Sequence, residues 1–93
     1  MTKQEYLDFL PTFKKAIAGK QGHDFLAEAT KYFSVITLPM ESEDGLVSMF
    51  RKQPQDEYGI VLVEFSNPTE NGYAALLVDS IENIKNKYGV VGF

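Results

Sequence analysis

Ninety-three residues, 44% of them apolar and 24% charged, match the usage of an ordinary globular domain with one core, so a single domain over 1–93 is expected. A formal charge of −4, a pI near 4.8 and eight Lys against a single Arg give no basic footprint, so nucleic acid is not the expected partner. With no Cys there are no disulfides, thiolate nucleophiles or thiolate metal ligands. Without a basic-then-apolar leader or a membrane-length apolar run, the expectation is a cytoplasmic protein with no membrane partner.

The first predicted element is a helix over residues 3–18. Thr2 and Glu5 stand at the spacing of a capping box. At 100° per residue, Tyr6, Phe9, Leu10, Phe13, Ala16 and Ile17 fall within an arc of roughly 120°. Pro11 lacks the backbone donor of its turn and crowds the preceding one, which predicts a kink near residue 10 or a split into two helices. Gly19 ends the element.

A second helix follows over 23–33, with Asp24 as cap and Phe25, Ala29, Tyr32 and Phe33 on one face. The run 34–38 has strand composition, and Pro39 prevents continuation as helix. Glu41, Glu43, Asp44 and Gly45 form an acidic turn. Residues 46–52 then read as a strand, joined by a polar connection to the run Tyr58-Gly-Ile-Val-Leu-Val-Glu-Phe-Ser66. That run is apolar on both pleated faces and needs cover on each, which places it inside a sheet beside 46–52.

The last element has two readings. In one, a helix runs over about 73–88, with Tyr73, Leu77, Ile81, Ile84 and Tyr88 on one face and Gly89 as its stop. In the other, Asn71-Gly72 closes a hairpin, 73–78 is a fourth strand, and Asp79 caps a shorter helix ending at the same Gly. The helical preference of Ala74 to Leu77 favours the first. Residues 90–93 form either a terminal strand or a tail that docks Phe93.

The fold class is therefore α+β. It has a small antiparallel sheet of three to four strands (about 34–38, 46–52, 58–66, and either 73–78 or 90–93). Against it pack two N-terminal helices, 3–18 and 23–33, and a C-terminal helix of about 73–88.

No catalytic or cofactor-binding set emerges. His23 has Asp24 beside it and Glu28 a turn away, but no nucleophile completes a site, and a solvated helix-start His is the simpler account. The acidic turn fails as a calcium loop, because its Gly comes one position early and Lys52 stands where a bidentate Glu belongs. Gly19-Lys20 lacks the upstream Gly of a phosphate loop. Asn67-Pro-Thr is no glycosylation acceptor, since Pro occupies its middle position. Glu64 interrupts the apolar strand and is expected at a wet strand end or paired with Arg51 or Lys52.

Twelve Phe and Tyr in so short a chain point to an aromatic interaction surface. Its expected members are Phe9, Phe13, Lys14, Lys15, Arg51, Lys52 and Tyr73. The leading expectation is a non-catalytic interaction or regulatory module whose partner is another protein or a second copy in a homodimer, with no cofactor. Two alternatives are a small-molecule binder or enzyme with a pocket between the C-terminal helix and the sheet, using Tyr residues and Glu64, and a nucleic-acid protein using Lys14, Lys15 and Lys20.

Overall fold

The computed structural model describes residues 1–20, 22–41, 44–65, 74–90 and 92. Their order is α1 (Lys3–Ile17), α2 (Gly22–Ala29), β1 (Ser34–Pro39), β2 (Gly45–Arg51), β3 (Tyr58–Phe65), β4 (Ala74–Ser80) and α3 (Ile81–Tyr88). The strands form one antiparallel sheet in the order β1-β2-β3-β4, so each pairs with its neighbour in sequence. This is the expected α+β class.

β3 is central and covered on both faces. Ile60 belongs to one buried cluster, and Val61 and Val63 to the other. The first cluster lies under α1 and α2 and contains Tyr6, Phe13, Ala29, Phe33, Phe50 and Ile60. The second lies under α3 and the C-terminal tail, with Met40, Val47, Met49, Ile84 and Val90. Period-two alternation delivers successive β3 side chains to opposite clusters. The cover is incomplete at one end, where Leu62 is half-buried and Glu64 is exposed.

α1 begins at the predicted capping box: Thr2 Oγ1 accepts the Glu5 N–H at 3.2 Å, and Glu5 Oε1 accepts the Thr2 N–H at 2.9 Å. The helix runs through Pro11 as one element and is not split. Pro11 and Leu7, the carbonyl it leaves without a helical donor, both lie on exposed positions where water can serve as the partner.

α2 is shorter than expected and ends at Ala29. Thr30 to Tyr32 form turns, and the Phe33 N–H still bonds to Ala29 O at 3.1 Å. That turn aims Phe33 into the aromatic stack instead of extending the helix. Its ring lies 5.4 Å from those of both Phe9 and Phe13.

The long C-terminal helix over 73–88 is corrected. Residues 74–80 are strand β4, and helix begins only at Ile81. Pairing decides against local preference: in register with β3, Leu76 and Val78 reach the α1/α2 cluster while Leu77 reaches the α3 cluster. The cap of α3 is Ser80, whose Oγ accepts the Asn83 N–H at 3.2 Å. Asp79, expected as the cap, takes the Ser80 N–H and the Asn83 side-chain amide. Gly89 ends α3 at φ 63, as expected. Val90 docks into the core outside any strand. The expected turn at Asn71-Gly72 and the docking of Phe93 lie outside the described residues.

Candidate functional site

Sheet register places side chains in rows on the α1/α2 face. Val35, Phe50, Ile60 and Val78 form a row beneath the helices. The Phe50 ring lies 5.4 Å from Phe13 of α1 and 5.9 Å from Phe25 of α2. The next row is Thr37, Ser48 and Leu62, and beyond it come Leu46 and Glu64.

α2 has only eight residues and does not extend over these outer rows. A groove of about 550 Å³ opens between them and the start of α2, walled by Lys20, Gly22, Phe25 and Leu26. Its floor holds the one described side-chain pair that is polar within the sheet face: Thr37 Oγ1 and Ser48 Oγ lie 2.8 Å apart. Ser48 is buried, and this bond satisfies it.

The groove is otherwise apolar, with one cation, Lys20, and one anion, Glu64, on its lining. Leu26 is 45% exposed and Leu46 46%, two of the three large hydrophobic side chains exposed among the described residues. The third is Leu7 on α1, 40% exposed.

The predicted surface residues do not assemble there. Phe13 is fully buried between Phe33 and Phe50, so it is a core residue with no area to offer a partner. Phe9 is half-buried against Tyr32 and Phe33. The aromatic face of α1 thus points inward.

Lys14 and Lys15 are exposed in the last turn of α1. Arg51 and Lys52 sit at the other end of that helix, where the Lys52 N–H donates to the Tyr6 hydroxyl at 2.8 Å. Eight residues of helix, about 12 Å, separate the two basic pairs. Tyr73 lies outside the described residues. Of the basic residues considered, Lys20 alone lines the groove.

Glu64 faces the groove on the α1/α2 face, away from α3. The expected pocket between α3 and the sheet is occupied by Ile84, Val61, Val63 and Val90, all buried. His23 is exposed, and Glu28 is engaged with Lys31 at 2.9 Å. Among the described residues no group of three or more His, Cys, Asp or Glu converges as a metal site, and no helix is long and apolar enough to cross a membrane.

Sequence reasoning reached Glu64 but missed Leu26, Leu46, Thr37 and Ser48. The available signal was Leu26, an apolar side chain roughly 100° from Phe25 and off the packed face of α2.

Comparison of the chain with protein-family models, with curated proteins and with solved structures finds no match.

Proposed function

We propose that this protein is a non-catalytic interaction module that binds a partner protein through the groove between α2 and the outer rows of the sheet. The observation that carries this reading is the exposure of Leu26 and Leu46 on opposite walls of one groove. Apolar side chains held open to water on a rigid sheet and helix are the anchors of protein interfaces, because covering them releases their hydration.

The occupant is a segment that inserts an apolar side chain between the two leucines. Its flanks carry a carboxylate toward Lys20 and a cation toward Glu64, which fixes its direction across the groove. Binding energy comes from the leucines and Phe25, and orientation from the two charges.

The test is affinity capture with the wild type and with Leu26→Glu and Leu46→Lys, followed by titration calorimetry with the purified partner. The expected result is a protein retained by the wild type and lost by both variants, each weakening a direct binding constant at least about tenfold. Binding that is indifferent to both leucines would sink the reading.

A second reading has its own observation. The groove volume falls within the range of small-molecule sites, and Thr37, Ser48 and Glu64 supply polar groups on its floor and rim. A small amphipathic ligand raises the melting temperature of the wild type and fails to raise that of Ser48→Val. A flat thermal shift across a metabolite panel removes this reading.

A further inference from the structure

Among the described residues β4 is an edge of the sheet, and its hydrogen-bonding direction follows from one bond. The Ile81 N–H donates to Glu57 O at 2.9 Å, just past the pair Tyr58 and Ser80. Antiparallel pairs alternate, so Ala75, Leu77 and Asp79 exchange backbone bonds with β3. Leu76, Val78 and Ser80 direct their backbone N–H and C=O groups outward. The Ser80 N–H is already taken, by Asp79 Oδ1 at 2.8 Å. Among the described residues no bond outside the sheet reaches Leu76 or Val78.

The two edges differ in how they are protected. On β1, the bond from the Met40 N–H to Gly45 O at 3.1 Å places Val35, Thr37 and Pro39 on the outward side by the same alternation. Pro39 has no N–H to give, which blunts that edge. β4 carries neither Pro nor charge from residue 74 to residue 78, a form of edge that invites another strand.

We propose that β4 pairs antiparallel with β4 of a second copy of this chain, joining two four-stranded sheets into one. A twofold axis through Leu77 sets Leu76 opposite the second copy's Val78. Both have outward groups, so each pair closes two reciprocal backbone bonds. Ala75 then faces the second copy's Asp79, so no like charges oppose one another. Leu77 meets its own symmetry mate on the α3 face.

Helix α1 supplies a further observation for the same partner. Phe9 turns toward α2 through Tyr32 and Phe33. Leu7 stands roughly 160° around the helix from Phe9, on the flank away from α2 and on the β4 side, and it is 40% exposed. The twofold pairing brings a second α1 toward that flank. This surface is separate from the groove, which β4 does not line.

Sedimentation equilibrium on the wild type, Ala75→Glu and Ala75→Lys tests the pairing. Residue 75 is exposed, so both variants fold, which circular dichroism verifies. The wild type is expected at twice its 10.5 kDa mass. Ala75→Glu, facing Asp79 of the second copy, raises the dissociation constant at least about tenfold, and Ala75→Lys leaves it unchanged or lowers it. A wild type monomeric to about 1 mM overturns the proposal. So does a dimer indifferent to Ala75→Glu, or one that Ala75→Lys weakens equally.

Discussion

The Tyr6 hydroxyl lies 2.5 Å from Oδ2 of Asp56, fifty positions further along the chain, and at the same time accepts the Lys52 N–H. Asp56 Oδ2 also accepts the Met1 amine at 2.9 Å and the Gln53 N–H at 3.4 Å. One buried phenol therefore ties the first turn of α1 to the connection between β2 and β3. Removing the hydroxyl in Tyr6→Phe strands both the Lys52 donor and one Asp56 acceptor. The expected cost is about 1–3 kcal/mol in urea unfolding, with the slope unchanged.

This latch sets a pH window. Burial pushes the Asp56 carboxyl up, but the bonds from Tyr6, the Met1 amine and the Gln53 N–H outweigh it and hold the group below its ordinary value. A lowered folded pKa contributes stability that is present above the unfolded value of about 3.9 and lost as pH falls through the folded one. Burial, and next the Asp56 hydrogen bond, push Tyr6 up to about 12. That contribution is whole below about 10 and is lost as pH rises through about 12. Melting temperature measured against pH should fall at both ends, and Asp56→Asn should flatten the acid limb.

The groove leucines and the core phenylalanine should respond in opposite ways. Leu26→Glu and Leu46→Lys change exposed positions and should alter stability by less than about 0.5 kcal/mol. Phe13→Ala empties a site between Phe33 and Phe50 and should cost about 3–5 kcal/mol. Calorimetric melting of the three variants separates surface from core. A mild Phe13→Ala would contradict its burial.

Two strand glycines are held by close approach. A Cβ at Gly45 would fall on Met40 Cε and the Glu64 carbonyl oxygen. At Gly59 it would stand 2.8 Å from Phe50 O. Backbone cannot yield as a flexible side chain does, so Gly45→Ala and Gly59→Ala should each destabilise by about 1–3 kcal/mol. For a chain of this length, each 1 kcal/mol lowers the melting temperature by about 4–8 °C.

At the start of α3, Ser80→Ala removes the acceptor for the Asn83 N–H and should cost about 1 kcal/mol, with Ser80→Gly costing less. Chemical denaturation of the pair measures this directly.

The parts of the fold written in local pattern were legible. The run 58–66 announced a strand inside the sheet with cover on both faces, and Ile60, Val61 and Val63 are fully buried. The cover expected through Phe65 fails at Leu62, half-buried, and Glu64, exposed. Thr2 with Glu5 and Gly89 marked helix ends through capping chemistry that needs no tertiary partner. Residues 74–80 were misread because Ala and Leu favour helix when isolated, whereas β3 offers the segment a complete ladder.

The candidate site was mostly hidden. A groove exists because α2 stops at Ala29 and leaves the outer rows bare, and no spacing within the chain encodes where a short helix docks. Phe9 and Phe13 misled for a related reason: an aromatic face tells that it must be covered, and not by what. Here the cover is Tyr32 and Phe33 from the turn after α2, together with Phe50 of the sheet.

The contacts of α1 reach α2, β3 and β4, the last two distant along the chain. As the polypeptide leaves the ribosome, Tyr32 and Phe33 follow Phe9 and Phe13 closely enough to shelter one flank, whereas the strands that close over the rest emerge only later. Until β3 and β4 are made, the aromatics of α1 keep an apolar flank that a holdase chaperone can cover, and the helix takes its final seat only when the sheet is complete.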